Sequence, residues 1–111
     1  MAFTKVCALA DIWQGEMETF EVDGTDILLI HTLGGEVHAV QAICPHQEVD
    51  LVEGELEGNE LTCCMHLWQF DVVSGKGINP DHAELAKYPV KIEGEDVLVD
   101  VAGIEAKFAH A

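Results

Sequence analysis

Positive charge is scarce in this sequence. Lys and Arg together number 5 against 21 Asp and Glu, which leaves a formal net charge of −16 with His neutral. A phosphate backbone would repel such a surface, so nucleic acid is excluded as a partner class. An anionic membrane surface is disfavoured for the same reason. Long apolar runs are missing too: no stretch reaches the roughly 18 residues that a transmembrane helix requires. The start, Met1-Ala2-Phe3-Thr4-Lys5, lacks the basic patch, apolar stretch and small-residue cleavage site of a signal peptide. Cytoplasm is therefore the expected compartment. Internal repeats, linkers and low-complexity segments are absent, and 111 residues suit a single domain, 1–111. Hydrophobic residues still make up 49%, which argues for a packed core in spite of the charge.

Helical periodicity is weak throughout, and what replaces it is short apolar runs separated by turn residues. Glu18, Phe20 and Val22 belong to an alternating segment that Asp23-Gly24 turns; Ile27 to Ile30 is a continuous apolar run followed by Gly34-Gly35; Val37 to Ile43 is again rich in strand formers. Leu61 to Cys63 and Trp68 to Val72 predict another strand pair. Tyr88, Val90 and Ile92 alternate into a turn at Gly94, and Val97, Val99 and Val101 alternate back. Short helical turns are expected around Leu9 to Trp13 and Asp81 to Leu85, and residues 102–111 read as a loosely held tail. Gly54, Gly75 and Gly77 are expected to serve tight turns. The fold class is all-β, a small antiparallel sandwich of stacked sheets.

Of the four cysteines, Cys7, Cys44, Cys63 and Cys64, the adjacent last two are a poor start for a compact disulfide framework, and a cytosolic chain would not be expected to form one. Two of them fall into a pattern with histidine: Cys44-Pro45-His46, sixteen intervening residues, then Cys63-Cys64-Met65-His66. Both pairs follow predicted strands and so sit on loops, where ligands usually lie. A four-coordinate zinc ion and an iron–sulfur cluster both suit two Cys and two His. Common zinc patterns pair Cys with Cys and His with His along the chain. Here each loop supplies one of each, which suits a [2Fe–2S] unit with two thiolates on one iron and two imidazoles on the other.

Cys-x-His followed by Cys-x-x-His at this separation resembles the Rieske signature. Further segments resemble one branch, the Rieske ferredoxin component of bacterial toluene and toluene/o-xylene monooxygenases: Asp11-Ile12-Trp13, Gly15-Glu16-Met17-Glu18-Thr19-Phe20, Cys44-Pro45-His46-Gln47-Glu48, His66-Leu67-Trp68 and Gly77-Ile78-Asn79-Pro80. The resemblance runs from about residue 3 to residue 101. It implies one [2Fe–2S] cluster held by Cys44, His46, Cys63 and His66 between two cluster-binding loops, with Pro45, Gln47, Leu67 and Trp68 around them. It also implies a carrier that catalyses nothing alone and moves single electrons from an NADH-dependent flavin and iron–sulfur reductase to a di-iron aromatic hydroxylase. Two other functions compete: the ferredoxin of an aromatic ring-hydroxylating dioxygenase, and a zinc-stabilised interaction module. Respiratory relatives carry a further cysteine in each loop, joined by a disulfide. Here Cys64 directly follows Cys63 and the first loop has no second cysteine, so no disulfide is expected. The chain is expected to be monomeric.

The remaining candidates have plainer readings. Cys7 and Cys64 are expected to act as small hydrophobes, and His31, His38, His82 and His110 as strand or surface residues. Trp68 is either core packing or a wall beside the cluster. No residue from Leu67 to Phe70 carries a hydroxyl that could donate to a cluster sulfur. A reduction potential at the low end of the Rieske range, about −150 to +300 mV, is the expectation. Glu48, Asp50, Glu53 and Glu55, close in sequence to His46, would attract a basic partner surface to the histidine side of the cluster.

Overall fold

Four consecutive aliphatic residues in a strand cannot all face one core, because successive side chains point to opposite faces. Ile27, Leu28, Leu29 and Ile30 are each 0% exposed, so the strand that carries them must be covered on both sides. The computed structural model, which describes residues 3–45, 49–63, 68–79 and 83–107, shows how.

Its strands in chain order are β1 (Thr4–Ala8), β2 (Glu16–Val22), β3 (Thr25–His31), β4 (Val37–Gln41), β5 (Glu55–Glu57), β6 (Glu60–Thr62), β7 (Gln69–Asp71), β8 (Gly77–Asn79), β9 (Lys87–Tyr88), β10 (Val90–Glu93) and β11 (Asp96–Val99). They form three antiparallel sheets, in the orders β1-β11-β10, β2-β3-β4-β9 and β5-β6-β7-β8. Ile27 and Leu29 of β3 enter one core with Cys7, Ile12, Tyr88, Val97 and Val99. Leu28 and Ile30 enter a second with Cys44, Leu51, Leu61, Cys63, Phe70 and Val72. The β3 sheet is thus the shared middle layer. Each fully buried aliphatic side chain is worth roughly 1.5–3 kcal/mol, so β3 anchors both layers. No helix among the described residues is long and apolar enough to cross a membrane.

The hairpins follow the turn chemistry. Asp23 (φ 49°) and Gly24 (φ 81°) both take the left-handed conformation between β2 and β3, as a two-residue hairpin turn requires. The short helical turn expected after β1 is there, as a 3-10 helix over Leu9–Asp11. Elsewhere local expectations change. Asp81 and His82 lie outside the described residues, and Ala83 to Leu85 is extended, with Glu84 bridged to Lys76 in place of a helical turn. β4 stops at Gln41, and Ile43 makes an isolated bridge to Asp50. The short strand β5 has only Leu56 as an apolar residue, too weak a pattern to read in advance.

The tail is tied to the fold at Lys107 by Gln41, which is 1% exposed and uses both ends of its side-chain amide. Its Nε2 donates to the Ile43 carbonyl at 2.7 Å and the Lys107 carbonyl at 2.9 Å. Its Oε1 accepts from the Ala86 and Lys107 N–H groups, both at 2.8 Å. Ile104 packs on the first core as the tail crosses it. Replacing Gln41 by Leu would strand the buried Ala86 N–H, so the variant should lose about 2–4 kcal/mol in urea unfolding. Amide exchange over residues 102–107 should accelerate with it; unchanged exchange there would show that Gln41 does not hold the tail.

Candidate metal centre

Each of the two candidate loops is the tip of a closed antiparallel connection. In the first, the Ile43 to Asp50 bridge brings the chain back on itself, and the Cys44 N–H donates to the Val49 carbonyl at 3.0 Å. In the second, β6 pairs with β7 up to Thr62 and Gln69, and the Cys63 N–H donates to the Trp68 carbonyl at 2.7 Å. The same bond, from the cysteine to the residue five positions on, closes both loops. Each cysteine therefore opens its loop in an equivalent setting, with its histidine two or three residues further on. His46, Gln47 and Glu48 in the first loop, and Cys64, Met65, His66 and Leu67 in the second, lie outside the described residues.

The two loops converge through packing. Cys44 is 1% exposed and Cys63 0%, and both belong to the second core beneath Leu28, Ile30, Leu51, Leu61 and Phe70. Val49 and Trp68, the residues whose carbonyls close the loops, are half-buried against the same core. Pro45 is buried beside Cys44. After the first loop, the 3-10 turn Leu51–Glu53 leads to Gly54. Gly54 is not a turn glycine in the expected sense: its φ of −82° suits any residue. What requires glycine is approach, since a Cβ there would meet the Thr62 carbonyl oxygen at 2.1 Å. Thr62 is the residue before Cys63, so Gly54 sets how closely the segment after the first loop lies on the strand that opens the second. Gly75 matches its expected turn role, with φ of 80°, and also lies against the Leu85 carbonyl.

The other sequence candidates are placed elsewhere. Cys7 lies in the first core, and burial, then the Asp11 and Glu18 carboxylates, push its thiol pKa up against the pull of Lys5. It is the small buried hydrophobe expected. No disulfide joins Cys7, Cys44 and Cys63. His31 is a buried strand residue whose Nδ1 donates to the Ile12 carbonyl at 2.8 Å. His38, on β4, lies 3.2 Å from a Glu36 carboxylate oxygen through Nε2. His82 and His110 lie outside the described residues. Sequence reasoning missed Val49, whose contribution is a backbone carbonyl and leaves no side-chain signal.

The field around the site is acidic. Asp50, Glu53, Glu55, Glu57 and Glu60 are exposed along the segment that joins the loops, and no Lys or Arg occurs between Lys5 and Lys76. Lys87 is drawn inward: its ammonium donates to the Val73 carbonyl, and burial lowers its pKa against the opposing pull of Asp71 and Glu36. Two buried thiols in one core, at equivalent positions of two identically closed loops, fit the thiolate half of a [2Fe–2S] site.

Comparison with known proteins agrees. The Rieske [2Fe-2S] domain family matches residues 2–89. The chain is 47% identical over 98 residues to the ferredoxin component of the alkene monooxygenase system of Xanthobacter autotrophicus, covering 87% of this chain and 80% of that one. It is 41% identical over 104 residues to the ferredoxin component of biphenyl 2,3-dioxygenase of Rhodococcus jostii, covering 93% and 96%. Among solved structures, the ferredoxin of carbazole 1,9a-dioxygenase from Nocardioides aromaticivorans superposes with a TM-score of 0.82 at 27% identity, covering 89% of this chain and 97% of that one. A ferredoxin in complex with the reduced oxygenase of carbazole 1,9a-dioxygenase matches with the same TM-score at 26% identity, covering 96% and 97%.

Gly54→Ala should therefore cost about 1–3 kcal/mol of stability and lower the iron bound per chain. Gly58→Asn, at a turn where a Cβ meets nothing within 4 Å, should leave iron content unchanged. Equal iron content in both variants would remove Gly54 from the site.

Proposed function

The chain belongs to the Rieske [2Fe–2S] domain family, and from that membership we propose that Cys44, His46, Cys63 and His66 hold its one cluster and that it carries single electrons to a terminal oxygenase. Membership makes the cofactor a [2Fe–2S] cluster in place of the zinc ion that the same donor types could hold. The observation that carries the ligand assignment is the pair of buried cysteines opening two identically closed loops. When bound, such a cluster supplies a one-electron couple whose ligated charge runs from zero to −1, easier to reduce than a four-thiolate cluster running from −2 to −3. The protein supplies the rest. The Val49 and Trp68 carbonyls hold the loop bases, the second core keeps water from the cysteine side, and Trp68 packs beside them. With no hydroxyl from Leu67 to Phe70, the low end of the potential range is the reading for this chain.

Relatives named as ferredoxin components of oxygenase systems support an electron-carrying role with no catalysis by the chain alone. The finer reading is a multicomponent aromatic monooxygenase of the toluene type, with a di-iron hydroxylase as acceptor and an NADH-dependent flavin reductase as donor. It is supported by the segments shared with that branch and by 47% identity to a monooxygenase component. A ring-hydroxylating dioxygenase is the second reading, favoured by the biphenyl and naphthalene relatives at 41% and 35%. Turnover reconstituted with each type of terminal oxygenase separates the two.

Cys44→Ser and Cys63→Ser should abolish the visible absorption and bound iron of the protein, while Cys7→Ser and Cys64→Ser retain both. Full cluster content in Cys63→Ser with loss in Cys64→Ser would move the ligand role to the neighbour. The acidic segment between the loops generates a second expectation. The bimolecular rate of electron transfer to the oxygenase should fall as salt rises, because the screening length shrinks from about 10 Å at 0.1 M to about 3 Å at 1 M. Charge reversal at Asp50 should slow it more than reversal at Glu93. A rate that holds or rises with salt would leave docking to apolar contacts.

A further inference from the structure

Two exposed apolar side chains stand apart from the rest. Trp13 is 72% exposed and Leu33 69%, whereas Val73, Ile78 and Ile92, the other exposed large apolar residues described, stand at 42%, 42% and 43%. A single exposed leucine is ordinary, but adjacent exposed apolar side chains that include a tryptophan mark an interaction site. The Leu33 side chain lies against Gly15, two residues after Trp13: a Cβ at Gly15 would meet Leu33 Cδ2 at 3.2 Å. Leu33 thus lies across the turn that Trp13 opens.

Both turns are rigid. The Glu16 N–H donates to the Trp13 carbonyl at 3.0 Å, and the Trp13 N–H donates to Glu16 Oε1 at 2.9 Å. The Gly15 N–H donates to the His31 carbonyl at 2.6 Å, and His31 Nδ1 ties Ile12 to the same strand end. Around Leu33, the Thr32 N–H donates to the Glu36 carbonyl and the Gly35 N–H to the Thr32 carbonyl. A backbone held ready in this way leaves only side-chain freedom to be lost on binding. The exposed carboxylates of Asp11, Glu16 and Glu36 stand in or beside these turns, in the part of the chain that has no Lys or Arg. A protruding apolar pair with an acidic surround calls for a recess with a basic border, and a second copy of this chain, at −16, would be repelled.

This patch is remote from the metal centre. Leu33 lies beyond the His31 to Val37 pair at one end of the β3–β4 ladder, and Cys44 lies beyond the Ile27 to Gln41 pair at the other. Four strand steps, about 13 Å, separate those pairs, a span that one interface of ordinary size can cover.

We propose that Trp13 and Leu33 form a second docking element, separate from the metal centre, which seats in an apolar recess bordered by lysine and arginine side chains on the terminal oxygenase. The choice of partner rests on the function proposed above. The patch holds the complex together and takes no part in the electron path.

The test uses the cluster-loaded protein and the purified terminal oxygenase of its own system. Calorimetric Kd and the electron-transfer rate within the saturated complex are measured for the wild type, Trp13→Ala with Leu33→Ser, Trp13→Phe, Glu16→Gln with Glu36→Gln, and Ile92→Ser. The apolar double variant should raise Kd at least about 10-fold, as loss of an aromatic anchor does, with the visible spectrum and the saturated rate unchanged. Trp13→Phe should recover most of the affinity. The paired Glu→Gln variant should weaken binding and flatten its salt dependence, and Ile92→Ser should bind as the wild type. An unchanged Kd in the apolar double variant, or an equal loss in Ile92→Ser, overturns the proposal while the functional reading stands. A fall in the saturated rate overturns the separation from the electron path. Wild-type protein with an intact cluster that neither binds nor reduces the oxygenase overturns the functional reading, and this inference with it.

Discussion

Burial of β3 on both faces is the constraint on which the rest of the structure depends. Ile27 and Leu29 need a partner layer on one side, and Leu28 and Ile30 need one on the other. The β1-β11-β10 sheet supplies the first and the β5-β6-β7-β8 sheet the second. Because the strand is fully buried, a slip in register by one residue would exchange the two sets of side chains between cores of different shape. β3 therefore fixes β2 and β4 beside it, and through them the point at which the chain leaves for the first loop.

The metal centre inherits its precision from that packing. Cys44 and Cys63 come from loops nineteen residues apart in sequence, yet both thiols sit in the core that Leu28 and Ile30 build. One backbone bond closes each loop at its base. Gly54 removes the side chain that would otherwise hold the two segments apart. Apolar packing and backbone pairing position the donors, so the site requires no elaborate polar network at its base. A buried thiolate pair with no metal would be costly; in the site proposed above, coordination to iron would remove that cost and so couple cofactor binding to stability.

Charge is distributed as unevenly as packing. Three of the five lysines sit in exposed ion pairs, Lys5 with Asp96, Lys91 with Glu93 and Lys107 with Glu84. Such pairs add little stability, but they offset charge on the side of the molecule formed by the β1-β11-β10 sheet and the tail. The chain between Lys5 and Lys76 contributes carboxylates and no Lys or Arg. The protein therefore presents an oriented field, and a basic partner meets the acidic segment between the loops before it meets the lysines.

Much of this was legible in the sequence, and for physical reasons. Period-two alternation in Glu18 to Val22 and Val97 to Val101, the Asp23-Gly24 turn and the continuous run Ile27 to Ile30 identify strands because side-chain direction in a strand is a local property. The mixed Cys and His pairs identify a cluster site because ligand chemistry is written in residue type and spacing. The two buried cysteines fall where that pattern put them. Other features depend on contacts between distant segments, which no local pattern encodes. Gln41 holding Lys107, Gly54 against the Thr62 carbonyl, the extended course of Ala83 to Leu85 and the packing of Leu33 on Gly15 are of this kind. The sequence by itself determined the strand-rich class and the mixed Cys and His pairs from which the proposed donor set is read, because both rest on neighbours in the chain. The tertiary structure alone decided which glycine must lack a side chain, which amide anchors the tail and which apolar residues stay in water, because those answers depend on what packs across the fold.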